Sequence, residues 1–168
     1  LYAVWGMSAT SVYVVGSHGT ILHYDGSTWS AMNSGTNNSL MGVWGSSDDD
    51  IFAVGYTGTA LHYDGDQWSP MSGFATWNLM DVLGNSRGDI FIVGAGTWQL
   101  DDGEWVLAAA VGELSFGLGP INGTDELLLI GDSGMILRWK ETQTPPSWMV
   151  RRQMLPNVIE LELPTPVN

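Results

Sequence analysis

Basic residues are scarce in this chain. Only five of its 168 residues are Lys or Arg, against 18 Asp and Glu, and the formal net charge is −13. All five follow residue 86, and they are Arg87, Arg138, Lys140, Arg151 and Arg152. Nucleic-acid binding needs a Lys/Arg footprint on the phosphates, and a polybasic membrane contact needs the same kind of cluster. The composition therefore argues against both classes of function.

Several other features are missing. There is no cysteine, which excludes a disulfide framework and any zinc site with cysteine ligands. No apolar run approaches the roughly 20 residues of a membrane-spanning helix, so membrane insertion is not predicted. No phosphate-binding loop, nucleophile elbow or Ser-His-Asp phrase is present, and we expect neither a cofactor nor catalysis. The chain opens inside a repeat unit, at LYAVWG, which indicates a segment of a longer protein.

What the sequence does contain is a repeat of about 39 residues. GTILHYDGSTW at 19–29 returns as GTALHYDGDQW at 58–68, and VWG at 4–6 returns at 43–45 and, as VLG, at 82–84. Residues 1–39 and 40–78 are identical at 17 positions. A third copy at 79–113 keeps the period with small deletions, and a fourth at 114–156 is looser. Such a period is typical of proteins built from stacked structural units.

Each unit predicts four short β-strands and no helix. In the second unit they are LMGVWG at 40–45, DIFAVG at 50–55, TALHYD at 59–64 and QWSPM at 67–71. The Asp-Gly pairs that begin at Asp25, Asp64 and Asp102 predict type I′ turns, because Asp tolerates and Gly supplies a positive φ. Neighbouring positions are both apolar in DIFAVG and ELLLIG, so both faces of these strands are expected to be covered by other sheets.

Four strands per unit of about 40 residues are typical of a propeller blade. We therefore predict an all-β fold, a single β-propeller domain over 1–168. Its blades are expected at about 1–39, 40–78, 79–113 and 114–156, with one strand of a fifth blade at 157–164. The Trp that opens each fourth strand is expected to fill the space between blades; these residues are Trp29, Trp68, Trp105 and Trp148.

The number of blades leaves three arrangements open. The chain is a small four-bladed ring, a segment of a larger ring, or a protomer that completes its ring by self-association with another chain. Propeller sheets of this kind more often form rings of five or more blades. The sequence therefore slightly favours the segment of a larger ring.

The repeat resembles a known family. The pattern LxxVWGSSxxDIFAVGxxGTxLHYDGxxW resembles the VWG-type β-propeller repeats of bacterial and some archaeal secreted or cell-surface proteins, over residues 1 to about 155. This resemblance implies a secreted or cell-surface location in a bacterium. The Asp-Gly-x-x-Trp turn is also similar in part to the Asp-box of sialidase-like propellers. However, His23 and His62 stand where that box has Ser or Thr, and the residue between Asp and Gly is missing, so no sialidase activity is implied.

Candidate binding residues lie in the loops that differ between units. Loops that join second to third strands, and each fourth strand to the next unit, are expected at one end of a propeller, and variable loops often carry binding sites. These loops hold His18, Tyr56, Trp77, Asn78 and Asp132. Trp77 either faces a ligand or packs under its own loop.

From these loops we predict a non-catalytic binding or scaffold module that contacts a protein or a glycan through its loop face. The alternative is a fragment of a larger propeller enzyme, such as a sialidase-like glycoside hydrolase, whose catalytic residues lie in other blades.

No metal site is assigned. His23 and His62 occupy the same repeat position in neighbouring units, so they are expected on separate sheets and not around one ion. His18 stands alone in a turn. The aspartates at 48–50 lack the Gly and the bidentate Glu of an EF-hand loop, and they are interpreted as a solvated turn.

Overall fold

The computed structural model contains four four-stranded sheets. It describes residues 1–74, 76–85, 88–101, 103–109, 115–120, 126–131, 136–142 and 159–164. The strand order is β1-β2-β3-β4 in sheet 1, β5-β6-β7-β8 in sheet 2, β9-β10-β11-β12 in sheet 3 and β13-β14-β15-β16 in sheet 4. Within the described ranges, no helix is long and apolar enough to cross a bilayer.

The chain divides into two compact units, of which the first is Leu1–Gly84. Sheet 1 consists of β1 (Ala3–Ser8), β2 (Ser11–Val15), β3 (Ile21–Tyr24) and β4 (Trp29–Met32). Sheet 2 consists of β5 (Leu40–Ser47), β6 (Asp50–Gly55), β7 (Ala60–Tyr63) and β8 (Trp68–Pro70), and β9 (Leu79–Gly84) follows. Single 3-10 turns at Ser17–Gly19 and Tyr56–Gly58 separate the second and third strands of sheets 1 and 2. All strand pairs within sheets 1 and 2 are antiparallel.

The second unit is Asn85–Asn168. It contains β10 (Ile90–Gly94), β11 (Thr97–Asp101) and β12 (Glu104–Ala109). The strands of sheet 4 are β13 (Ser115–Pro120), β14 (Leu127–Gly131), β15 (Ile136–Thr142) and β16 (Ile159–Pro164). Strands β13, β14 and β15 pair antiparallel, whereas β16 runs parallel to β15.

The core of the first unit lies between sheets 1 and 2. Alternation along each strand gives a sheet two faces, which we call front and rear. In sheet 1 the front face carries Trp5, Tyr13, Val15 and Ile21, and the rear face carries Val4, Val14, Leu22 and Trp29. Positions equivalent in the repeat define the two faces of the other sheets. The front face of sheet 1 packs against the rear face of sheet 2, which supplies Val43, Ile51, Ala53, Leu61 and Trp68 to the same buried cluster.

The repeated Trp-Gly phrase has a packing reason. A Cβ on Gly45 would lie 2.8 Å from Cη2 of Trp5, because the indole of sheet 1 rests on this glycine of sheet 2. In the same way the Trp44 indole of sheet 2 occupies the space next to Gly84 of β9. Each of these Trp residues therefore requires a Gly in the following repeat, because any side chain at that position would collide with the Trp ring.

The four strands predicted for the second repeat, between residues 40 and 71, are confirmed with ends that differ by at most two residues. DIFAVG is β6, and its residues from Ile51 to Gly55 are all buried, so both faces are covered as expected. The same expectation is wrong for ELLLIG. In β14, Leu127 and Leu129 are buried, Leu128 is half-buried and Ile130 is exposed, so the front face of this strand is not covered by described residues as the rear face is.

The predicted type I′ turns are wrong in sheets 1 and 2. Asp25 pairs with Thr28 across the turn, so the two central residues are Gly26 and Ser27. Only Gly26 has a positive φ, of 96°, and a left-handed first central residue is typical of a type II′ turn. Sheet 2 repeats this arrangement with Gly65 at a φ of 93°. In sheet 3 the Gly is the second central residue, and its neighbour Asp102 lies outside the described residues.

The strand predicted at 157–164 exists as β16, but it is not the first strand of a fifth sheet. It is the fourth strand of sheet 4, where it pairs parallel with β15. A parallel neighbour requires a connection of a dozen or more residues, and residues 143–158 supply that length. The alternating sequence IELELP also suits a strand with one wet face better than an innermost strand buried on both.

The Trp that opens each fourth strand has no uniform environment. Trp68 is only 8% exposed and belongs to the cluster between sheets 1 and 2, as predicted. Trp29, at the same position of sheet 1, is 51% exposed, so the prediction is wrong there. Trp105 is half-buried, and Trp148 lies outside the residues that the structure describes.

Candidate functional site

Four loop segments of the first unit meet at one end of sheets 1 and 2. They are residues 16–20, 33–39, 56–59 and the described part of 74–78, which leaves out residue 75, and we call them the loop rim. Backbone bonds join them in pairs: the N–H of Gly19 donates to the Asn38 carbonyl (2.9 Å), and the N–H of Gly58 donates to the Trp77 carbonyl (2.6 Å). The structure thus brings together the two kinds of loop that the sequence places at one end.

The turn at Tyr56–Gly58 is fixed by several hydrogen bonds. The backbone N–H of Thr57 donates to Oδ1 of Asn78 (3.1 Å), and the hydroxyl of Thr59 donates to the Tyr56 carbonyl (2.7 Å). Asn38 adds a bond from its Nδ2 to Oγ1 of Thr59 (2.9 Å), which ties the loop after sheet 1 to this turn of sheet 2. The rim is therefore one connected network across both sheets.

Two residues of the rim have unusual backbone conformations. His18 has a φ of 54° and Thr57 a φ of 56°, at the same repeat position of the two turns. A left-handed φ is uncommon for any residue other than Gly, and for a β-branched residue such as Thr it is a clear outlier. Strained backbone of this kind persists only where the surroundings hold it in place, and it concentrates at functional sites.

Two large aromatic residues of the rim reach solvent. Tyr56 is 39% exposed and Trp77 is 44% exposed. Phe74, not Trp77, is the buried aromatic residue of the second loop, and its carbonyl accepts the N–H of Trp77 (3.2 Å). Of the two alternatives for Trp77, the structure therefore shows the solvent-facing one.

The predicted site residues fall into three groups. Tyr56, Trp77 and Asn78 lie on directly bonded loops. His18 is exposed on the equivalent turn of sheet 1, which the Asn38 bonds link to the same network. Asp132 lies outside the described residues. Thr57 and Asn38 belong to the same loops but are not among the candidate residues, because neither residue type indicates a left-handed turn or a bond between loops.

Most of the charged residues between 1 and 84 lie at the opposite end of the sheets. Residues 1–84 contain seven Asp and no Glu, Lys or Arg, and none of the seven belongs to the loop rim. Five of them occupy the connections between first and second strands or between third and fourth strands, and a sixth, Asp50, is the first residue of β6; the five are Asp25, Asp48, Asp49, Asp64 and Asp66. The unit thus has a neutral, aromatic end and an acidic end.

Two of these aspartates are stabilised as anions by turn amides. The backbone N–H groups of Thr28 and Ser27 donate to the carboxylate of Asp25 (2.8 Å each) and hold its pKa well below the usual value for Asp. The N–H groups of Gln67 and Asp66 lower the pKa of Asp64 in the same way. These carboxylates fasten the turns between third and fourth strands.

The remaining His and Asp residues that could serve as ligands contact local side chains. The His23 ring stacks on Tyr13 at a centroid distance of 4.4 Å, and Nε2 of His62 lies 2.8 Å from Oδ1 of Asp50. Ser11 donates to Asp48, and Ser47 donates to Asp49 (2.5 Å). In the part of the chain that the structure describes, no group of three or more His, Asp or Glu residues could hold a metal ion.

Comparisons with known proteins bear on the fold. No protein-family model matches the sequence, and no curated protein matches it. Among solved structures, the chain is similar to YCF48, a β-propeller whose structure was solved bound to D1 peptide. The two are 16% identical with a TM-score of 0.57, and the match covers 82% of this chain and 49% of that one. The chain thus spans about half the length of the propeller it matches, and the four sheets are blades of the β-propeller fold.

Proposed function

We propose that this chain is a non-catalytic binding module whose loop rim receives a segment of a partner protein. Tyr56 and Trp77 would provide the main contact area, and Asn78 and His18 would lie at its border. The observation that carries the proposal is that two solvent-facing aromatic residues stand on adjacent loops that are bonded to each other.

Rigid aromatic groups favour binding for two reasons. Tyr and Trp are enriched among the residues that dominate the energy of protein interfaces. In addition, a surface that is already ordered loses less conformational entropy when a partner docks. The bonds from Thr57 to Asn78 and from Asn38 to Thr59 provide such order on this rim.

The chemistry of the rim suggests the class of partner. No Asp, Glu, Lys or Arg occurs in the four rim segments, while the hydroxyl and amide groups of Thr and Asn are frequent there. A largely uncharged peptide segment with an apolar or aromatic side chain matches such a surface. The similarity to a propeller solved bound to D1 peptide supports a peptide in preference to a glycan. The resemblance to VWG-type repeats supports a secreted or cell-surface location, where such a module would meet its partner.

The test uses a random peptide display library selected on the purified chain. Replacing Tyr56 and Trp77 by Ala should weaken binding of each selected peptide by about tenfold or more, because each removes a central aromatic contact. Trp29→Ala is the matched control, since Trp29 is also an exposed Trp but lies away from the rim. Affinities are measured by calorimetry or interferometry with the selected peptides.

Two results would contradict the proposal. One is a library that yields no peptide above the background of an unrelated acidic β-protein. The other is peptides whose affinity falls with Trp29→Ala but not with the rim variants. A glycan array run in parallel separates the classes of ligand, and binding to glycans alone would replace the peptide in the proposal.

A further inference from the structure

Among the described residues, the rear face of sheet 1 is an apolar surface that is partly open to solvent. Two rows of paired residues cross it, and every side chain in them is apolar or aromatic. The rows are Val4, Val14, Leu22 and Ala31, and Gly6, Val12, Tyr24 and Trp29. Val4 is 67% exposed, and Trp29 packs against Tyr24 in a tilted arrangement, with 5.1 Å between the ring centroids and about half of the Trp29 surface in solvent.

The repeat shows what such a face binds. The equivalent rows of sheet 2, 39 residues later, contain Val43 in place of Val4 and Trp68 in place of Trp29. Val43 is only 6% exposed, because the front face of sheet 1 covers it. Leu1 and Leu40 differ in the same way, since Leu1 is exposed and Leu40 is fully buried. The occupant that fits the rear face of sheet 1 is therefore the front face of another sheet of this repeat.

Sheet 4 displays a front face of this kind. Aligning ELLLIG at 126–131 with DIFAVG at 50–55 puts Leu128 and Ile130 on its front face. Ile130 is 52% exposed, whereas Val54 and Val93, the equivalent residues of sheets 2 and 3, are fully buried. A Cβ placed on Gly119, next to Leu128 in the neighbouring strand, would meet no atom within 4 Å.

The two described charged side chains of this front face are paired with each other. Arg138 lies opposite Leu128 in the neighbouring strand, and its Nε donates to Oε2 of Glu126 (2.7 Å), with a second bond from Nη2 to the same oxygen. A paired guanidinium can be covered at a lower desolvation penalty than a free charge. Neither face therefore presents an unpaired charge among its described side chains.

We propose that the rear face of sheet 1 docks on the front face of sheet 4 of a second copy of this chain, in a head-to-tail arrangement. The contact repeats between molecules the packing that sheet 1 makes on sheet 2 within the molecule. The contact is heterologous, so each copy uses one rear face and one front face. Successive copies form a closed ring only if the rotation between them brings the last copy back to the first. The contact uses neither Tyr56 nor Trp77, and it is independent of the function proposed for the loop rim.

The experiment uses two variants of the full chain, Val4→Glu and Ile130→Glu, each of which buries an unpaired charge in the contact. Sedimentation velocity should show a concentration-dependent assembly for the wild type and an affinity weakened about tenfold or more for each variant. A mixture of the two variants retains one intact pair of faces, the front face of V4E and the rear face of I130E. It should therefore form a one-to-one complex that neither variant forms alone.

Controls address folding and added charge. Both substituted residues are exposed, so circular dichroism and the melting temperature of each variant should match the wild type; I130S is a milder second variant of the same position. Trp77→Glu adds the same charge at the loop rim and should leave assembly intact.

Three outcomes would overturn the head-to-tail contact. The first is a wild type that stays monomeric at all concentrations. The second is assembly that V4E abolishes and I130E leaves unchanged, which would mean rear-to-rear pairing. The third is a mixture of the two variants that remains monomeric.

Discussion

Sheets 1 and 2 have nearly the same sequence in different surroundings. They share 17 of 39 aligned residues, including the Leu, Val and Trp of the rear face, and they have the same strand order and the same turns. Sheet 2 is covered on its rear face by sheet 1, whereas the rear face of sheet 1 is open. The comparison separates what a strand sequence determines, which is the sheet, from what a neighbour determines, which is burial. It also makes each residue of sheet 1 a control for its counterpart in sheet 2.

The largest difference is expected at the two Trp residues. Trp68→Ala should lower the free energy of unfolding by about 3–5 kcal/mol, because it empties a large site in the buried cluster. Trp29→Ala should lower it by less than about 1 kcal/mol, since half of that side chain already lies in solvent. Urea unfolding at low protein concentration measures both. Equal losses would show that the two rear faces are covered alike.

A smaller difference is expected at the glycines of the VWG phrases. Gly45→Ala should lower the free energy of unfolding by about 1–3 kcal/mol, because the new methyl group would collide with the Trp5 ring and the Ile51 side chain. Gly6→Ala should stay within about 0.5 kcal/mol of the parent. Its Cβ would meet only Val12 and backbone oxygens at 3.3 Å or more. Thermal unfolding of the two variants measures the difference. If Gly6→Ala lowered the stability as much as Gly45→Ala, an aromatic ring would have to cover Gly6 as well.

The smallest difference is expected in the acid stability of the turns after β3 and β7. Amides lower the pKa of Asp25 and Asp64 in the folded chain, so each carboxylate stabilises the fold above the unfolded pKa of about 3.9, and this stabilisation is lost as the pH falls through the folded pKa. Asp25→Asn and Asp64→Asn should therefore destabilise the chain at pH 7, and the difference from wild type should shrink in acid.

The two turns should also differ from each other. Asp25 accepts two further bonds, from the hydroxyls of Ser27 (3.0 Å) and Thr28 (3.2 Å). The residues at these positions of sheet 2, Asp66 and Gln67, have no hydroxyl group. The decrease in the free energy of unfolding at neutral pH should accordingly be larger for Asp25→Asn than for Asp64→Asn. Urea titrations at neutral and acidic pH measure the differences, and a gap that widens in acid would contradict the assigned role of the carboxylates.

Much of the fold could be predicted because its determinants are local and repeated. Alternating or continuous apolar runs between Gly and Asp residues predict strands, and two matching copies fix the period of β5 to β8. The side of a sheet that is left open cannot be predicted in this way. Trp29 and Trp68 occupy the same repeat position in similar local sequences, and their burial depends on a neighbour that the local sequence does not encode.

The errors at the turns and at β16 have similar causes. Asp-Gly fits a type I′ or a type II′ turn, depending on a one-residue shift in the pairing of Asp25 with Thr28. The segment that forms β16 can add to any exposed sheet edge, and its parallel pairing depends on a long connection. For the loop rim, the chain path predicts that Tyr56 and Trp77 share one end. The left-handed Thr57 and its bond to Asn78 arise only when the two loops meet.

The ring of Trp5 on Gly45, and of Trp44 on Gly84, has a consequence for how such a chain changes in length. A single repeat contains both residues of this contact. Its Trp, such as Trp44, packs on the Gly of the following repeat, and its Gly, such as Gly45, accommodates the Trp of the preceding repeat. A gene duplication that copies a whole repeat therefore copies the Trp ring and the Gly that accommodates such a ring together. Repeats can therefore be gained or lost in evolution while the contact surface between neighbouring repeats stays the same.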